Sequence, residues 1–191
     1  MTIKDYSVSQ EDFTLVYDSV LKLYRTTPLP NDLKKYYESE DYISHTDSRR
    51  TLFDKLYQWV KSYNLKHKIK LIEQYKKGNV RLLDIGAGTG DFVRSGKECA
   101  HWETMGIEPS EKARTKAKEK GVLLQADFSN LLPHSFDVIT MWHVLEHVPD
   151  VTQEIQLISN LLKEDGLAII AVPNYRSWDA QHYGAYWAAY D

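Results

Sequence analysis

The chain has 191 residues, 42% hydrophobic and 27% charged, which suits one domain and excludes a disordered chain. A net charge of −3 leaves no global basic excess for nucleic acid, and the single Cys99 excludes an internal disulfide framework and a multi-cysteine zinc site. No apolar run of about 18 residues could span a membrane, and the acid-containing N-terminus does not read as a signal peptide, so a cytoplasmic protein is expected.

Residues 1–77 read as a helical, rather polar region. Asn31 or Asp32 is placed to cap a short helix through Lys35, Tyr36 and Tyr37. The stretch 36–45, rich in Tyr and acids, reads either as a lid carrying acceptor contacts or as a surface loop. A longer helix is expected from about Ser48 to Tyr75, with apolar positions Leu52, Leu56, Trp59, Val60, Tyr63, Ile69 and Ile72 at three-four spacing and Asn64 as an interruption. Lys61, Lys66, Lys68, Lys70, Lys76, Lys77 and Arg81 face one acid, Glu73; this reads as a solvated helix face before a nucleic-acid patch.

Residues 78–175 change texture. Short apolar runs alternate with helical stretches: Val80–Ile85, Asp91–Cys99, Thr104–Glu108, Glu111–Lys120, Val122–Ala126, Phe136–Trp142, Val151–Leu162 and Leu167–Val172. Strand–helix alternation implies parallel strands joined by right-handed crossovers, hence an α/β, doubly wound, mostly parallel sheet. Runs such as Leu82–Ile85 and Val138–Met141 lack apolar-polar alternation, as strands buried on both faces do. Residues 176–191 form an aromatic tail. Only 18 residues follow Pro173, too few for a crossover and two more strands.

Asp84-Ile85-Gly86-Ala87-Gly88-Thr89-Gly90 falls where a buried strand gives way to a helix, the ligand-binding end of an open α/β sheet. Glycines there let backbone approach a ligand closely. The third glycine comes one residue early for a dinucleotide fingerprint, and no phosphate-loop Lys-Ser/Thr pair follows. A carboxylate at Asp84 repels a pyrophosphate and attracts an ammonium group, whereas the helix start favours a carboxylate. The loop therefore suits a ligand carrying both groups. Glu108, after the second strand and beside Pro109, can accept from both hydroxyls of a ribose. Asp127, after the third, can accept from an adenine amine while the Phe128 backbone N–H donates to a ring nitrogen. Each acid also has a plain structural reading, as a loop tie, a helix-start acid or an exposed loop acid; their series favours the nucleoside.

These motifs together resemble the class I S-adenosylmethionine-dependent methyltransferases. Leu82–Gly90 looks like that family's first motif, and Glu108 and Asp127 fall where it places its ribose and adenine acids. Phe136–Ile139 with Trp142-His143-Val144-Leu145-Glu146-His147-Val148-Pro149-Asp150 looks like its fourth, and Leu161–Leu167 like the turn into its fifth strand. The His-Val-Leu-Glu-His variant is similar to the group containing the ubiquinone-pathway O-methyltransferases. The resemblance implies a Rossmann-like core and S-adenosyl-L-methionine as cofactor. The expected cofactor set is Asp84, Gly86, Ala87, Gly88, Gly90, Glu108, Pro109, Asp127, Phe128, Trp142 and His143. The family sheet usually has seven strands, so this chain reads as truncated after the fifth. That leaves an open edge, for which the aromatic tail is a cover or a self-association surface.

His143, Glu146 and His147 also match H-x-x-E-H, an inverted zinc-protease signature. That chemistry needs a third ligand and a water site, and the segment sits inside the other motif series, so no metal is assigned; a divalent ion beside the acceptor stays open. His147 is the candidate general base, against a packing role at a helix start. The expected partner is a small-molecule methyl acceptor. A cofactor-binding protein without transfer and an NAD-type oxidoreductase are the competing readings.

Overall fold

The structure is a computed structural model that describes residues 1–6, 9–29 and 52–190, with backbone alone at 52–55. The expected cap at Asn31 or Asp32 and the candidate lid at 36–45 lie outside the described residues. Contacts gather the chain into two compact units: Met1–Ile43 with Pro173–Asp191, and Ser44–Val172.

In the first unit, β1 (Thr2–Lys4), β2 (Asp12–Asp18) and β3 (Leu23–Thr27) form an antiparallel sheet in the order β1-β2-β3. This corrects the helical expectation for the start of the chain. The period is two, not three to four: Ile3, Phe13 and Leu15 are buried while Thr2, Lys4, Thr14 and Val16 face out. Ile3 pairs with Phe13, and Tyr17 with Tyr24. Asp18 sets the β2–β3 turn: its Oδ1 accepts from the Val20 and Leu21 N–H groups at 2.9 and 3.0 Å, and its Oδ2 accepts from Arg25 Nε. The aromatic tail packs on this sheet, with Ala185 and Tyr190 against the Ile3–Phe13–Leu15 cluster and Tyr186 stacked on Tyr6 at 6.0 Å.

The second unit carries the α/β sheet. Helix α1 (Leu52–Tyr75) runs unbroken through Asn64. Then come β4 (Arg81–Ile85), α2 (Asp91–Ala100), β5 (Glu103–Ile107), α3 (Glu111–Glu119), β6 (Phe136–Trp142), α4 (Val151–Leu161) and β7 (Leu162–Ala171). The strand order is β5-β4-β6-β7, with all three pairings parallel. Ser110 and Asp150 cap α3 and α4 through their side-chain oxygens. The expected third strand, Val122–Ala126, shrinks to one bridge between Gln125 and Ile107. Both sheet faces are covered. Leu83, Ile85, Ile139 and Met141 meet Ile158 and Leu161 of α4. Leu82 and Val138 meet Ile69 and Ile72 of α1 and Phe92 of α2. Strand alternation then sends Asp84 and Thr140, register partners, to the α1 and α2 side.

Candidate functional site

A cavity of about 320 Å³ lies between the carboxyl end of β4 and helix α1. Its wall includes Asp84, Gly86, Ala87, Gly88 and Trp142 from the sequence-expected set, and Lys61, Lys68, Thr89, Asp91 and Phe92 from outside it.

Asp84 is 3% exposed and has a hydrogen bond from Thr140 Oγ1 at 2.6 Å. Burial pushes its carboxyl up to about 7, against the hydrogen bond from Thr140 and the charge of Lys68, with Glu108 adding to the rise. Holding the carboxylate charged in the free protein therefore costs on the order of 4 kcal/mol. A cation entering the cavity would offset that cost.

The cation already present is Lys68. Burial pulls its ammonium below the ordinary lysine range, and the Asp84 charge opposes the fall. Its Nζ sits 4.3 Å from the Trp142 ring centroid and 5.7 Å from that of Phe92. Lys61, one heptad earlier on the same helix, has its charge taken by Asp91 at 2.7 Å. Lys68 makes no ion pair among the described residues, so its ammonium is the one available for a ligand anion. Beside it, Trp142 Nε1 is buried with no hydrogen-bond partner among the described residues. Lys68, Trp142 and the buried Asp84 thus share one cavity wall.

The glycine loop is organised from within. The Gly86 and Ala87 N–H groups both donate to the Ile107 carbonyl at 2.9 Å, and the Gly90 N–H donates to the Ala87 carbonyl. The Gly88 N–H donates to Glu108 Oε2 at 2.8 Å. These four amides are therefore engaged within the protein. Gly86 holds φ +72°, and the space of its missing Cβ is filled by Val144. Gly90 presents its bare side to Val122 and Ala117 rather than to the cavity.

The remaining expected residues stand apart from the cavity wall. Glu108 accepts from Gly88 and, through Oε1, from the Ser110 N–H at 2.9 Å, so it ties the loop to the start of α3. Each oxygen keeps a lone pair for a hydroxyl donor. Pro109 follows it, its carbonyl accepting from Arg114 Nη1 at 2.6 Å. Asp127 is exposed and answered locally: Ser129 donates through both its side chain and its backbone N–H, which holds the Asp127 carboxyl below the usual range. Phe128 packs against the Leu83–Met141 core. His143 turns at φ +59° just past β6, with Nδ1 3.4 Å from Glu146 Oε1; His147 ends a single 3₁₀ turn, Leu145–His147, on the surface. Among the described residues no cluster of three His, Cys, Asp or Glu side chains could hold a metal.

Sequence reasoning missed Lys61 and Lys68 by counting charges without their helical phase. Lys61, Leu65, Lys68 and Ile72 recur at four-three-four spacing, which places both lysines on the inward stripe. The reading of this run as a solvated face is corrected for both, and for Lys76, whose Nζ meets Asp165 at 2.6 Å.

A methyltransferase-domain family matches residues 53–191, more than half of the chain. A ubiquinone biosynthesis O-methyltransferase of Vibrio cholerae is 31% identical over 159 residues, covering 76% of this chain and 60% of that protein. Its Aeromonas salmonicida counterpart is 36% identical over 103 residues, covering 49% and 43%. The chain thus spans less than two thirds of the length of these relatives. Among solved structures, a methyltransferase dependent on S-adenosylmethionine from Archaeoglobus fulgidus has a TM-score of 0.50 at 26% identity, covering 60% of this chain and 54% of that one. One from Thermotoga maritima, described as a possible histamine N-methyltransferase, has 0.52 at 23% identity, covering 69% and 63%, a likeness of fold.

Proposed function

The chain belongs to the class I S-adenosylmethionine-dependent methyltransferases, and from that premise we propose that it transfers a methyl group to an oxygen or nitrogen of a small-molecule acceptor. One observation carries this reading: buried Asp84 and Lys68, which makes no ion pair among the described residues, line the same cavity beside the glycine loop. A carboxylate for an ammonium and an ammonium for a carboxylate fit the amino-acid end of S-adenosylmethionine.

When bound, that cofactor supplies a methyl carbon activated by a positive sulfur. The chain's own residues bind and align. Asp84 accepts from the ligand ammonium, and Lys68 with the Trp142 indole N–H donates to the ligand carboxylate. Glu108, beside Pro109, accepts from ribose hydroxyls through the lone pairs that Gly88 and Ser110 leave unused. Asp127 and the Phe128 N–H serve the adenine, and His143 lies near the cofactor. His147 is the candidate base, taking the acceptor's proton on a ring nitrogen when the acceptor is a hydroxyl. Fixing the acceptor in line with the breaking bond supplies several kcal/mol of the barrier. Nucleic acid is disfavoured as acceptor, because Lys61, Lys76 and Arg81 of the basic stretch are engaged in ion pairs. Strand β7, an edge of the described sheet, is the candidate surface for self-association.

Calorimetric titration with S-adenosylhomocysteine, with NAD as control, tests the reading. Binding of the first and not the second is expected. Binding of NAD alone would overturn it, and binding without turnover on any acceptor would favour a protein that keeps the cofactor but lost transfer.

A further inference from the structure

The cavity wall contributed by α1 is anchored unevenly. Among its described side chains only Ile69 and Ile72 are buried, both in the C-terminal half. Toward the N-terminal end Leu56, Trp59 and Tyr63 are 58%, 65% and 52% exposed, so among the described residues little apolar packing holds that end. Lys61 lies eight residues before Ile69, about 12 Å along the axis. There its Nζ meets Asp91 Oδ2 at 2.7 Å, with both side chains more than four-fifths covered.

Asp91 is a junction. It opens α2 directly after the glycine loop, and Oδ2 also accepts from Thr89 Oγ1 at 2.8 Å and Lys120 Nζ at 3.2 Å. Lys120 in turn donates to Thr89 Oγ1 at 3.0 Å from the C-cap of α3. Burial works against the Asp91 charge, yet the hydrogen bonds from Lys61 and Thr89 hold its carboxyl below the ordinary range. Lys61, Thr89 and Asp91 all line the cavity. An exposed ion pair contributes little, but one that is covered and shared within a network holds its geometry.

We propose that the Lys61–Asp91 pair is a latch: it keeps the N-terminal half of α1 closed on the glycine loop and sets how fast a bound cofactor leaves. Lys61 is then a positioning residue, acting through the helix rather than by touching the reacting atoms. The proposal rests on the S-adenosylmethionine reading for its ligand, though not for the latch itself.

Two measurements test it on the full chain: S-adenosylhomocysteine dissociation by stopped-flow tryptophan fluorescence, and amide exchange of α1 in the free protein. Lys61→Gln is expected to release the ligand about five- to tenfold faster, with association within about twofold. The same variant should lose protection over residues 56–66 while residues 69–75 keep theirs. Lys61→Arg should restore both readouts, and Lys66→Gln, an exposed lysine of the same helix outside the cavity wall, should leave dissociation within about twofold. Parental dissociation in Lys61→Gln, or failure of Lys61→Arg to restore it, overturns the latch. Equal acceleration by Lys66→Gln overturns its assignment to Lys61. Should the parent not bind S-adenosylhomocysteine, the functional reading fails, and the exchange data alone decide the latch: lost protection at 56–66 upholds it, and unchanged protection ends it.

Discussion

On the sheet side of the cavity, Asp84 is fixed by a hydrogen bond from its register partner Thr140 and surrounded by side chains that leave it 3% exposed. On the helix side, Lys68 rests on the rings of Trp142 and Phe92, and Lys61 of the same helix meets the shared carboxylate of Asp91. The negative station is therefore preorganised by the strands, whereas the positive one rides on an element that can shift. Equilibrium affinity should depend most on the first, and exchange kinetics on the second.

The sharpest break in that comparison is Asp84→Asn. We expect S-adenosylhomocysteine affinity to fall about 100-fold by calorimetry, the scale of a charged hydrogen bond lost in a dry site. The free protein, relieved of a costly buried charge, should melt higher at pH 8. Parental affinity in this variant would remove Asp84 from the site.

Next in size is the pH response. With the Asp84 carboxyl near 7, affinity should drop toward tenfold per unit as pH falls below 7, since binding then requires losing a proton. Calorimetry in two buffers of different ionisation enthalpy should show proton release below pH 7. The stability of the free protein moves oppositely. Its raised carboxyl holds a proton that the unfolded chain gives up near 3.8, so this group's contribution is full below that value and is lost as pH rises through about 7.

Lys68→Met should weaken binding about tenfold while leaving the melting temperature nearly unchanged, because the stem still packs on Trp142. The smallest effect belongs to Asp127→Ala. Its partner Ser129 already answers the carboxylate at the surface, so a change of about threefold or less is expected by the same titration. A loss matching that of Asp84→Asn would place Asp127 beside it as an equal station.

The parallel core was legible because its strands carry apolar runs without alternation: β6 was read at its observed bounds and α4 differs by one residue, whereas β7 begins at Leu162, inside the stretch read as a turn, rather than at the expected Leu167. The glycine loop and Asp84 were legible too, since their spacing carries the chemistry. The first 27 residues were not, because three short strands, with one buried side chain in β1, two in β2 and none in β3, give a weak period-two signal. Val122–Ala126 looked like a strand by composition, yet only Gln125 reaches β5 in register. The basic run hid its two cavity-lining lysines because net charge says nothing of which way a helix turns each residue.

Val144 fills the hollow that Gly86 leaves, so two motifs 58 positions apart in the chain share one small volume. A lineage that gained a methyl group at position 86 would have to surrender bulk at position 144, and the turn bearing His147 would carry the adjustment. Substitutions at these two positions should travel together among relatives.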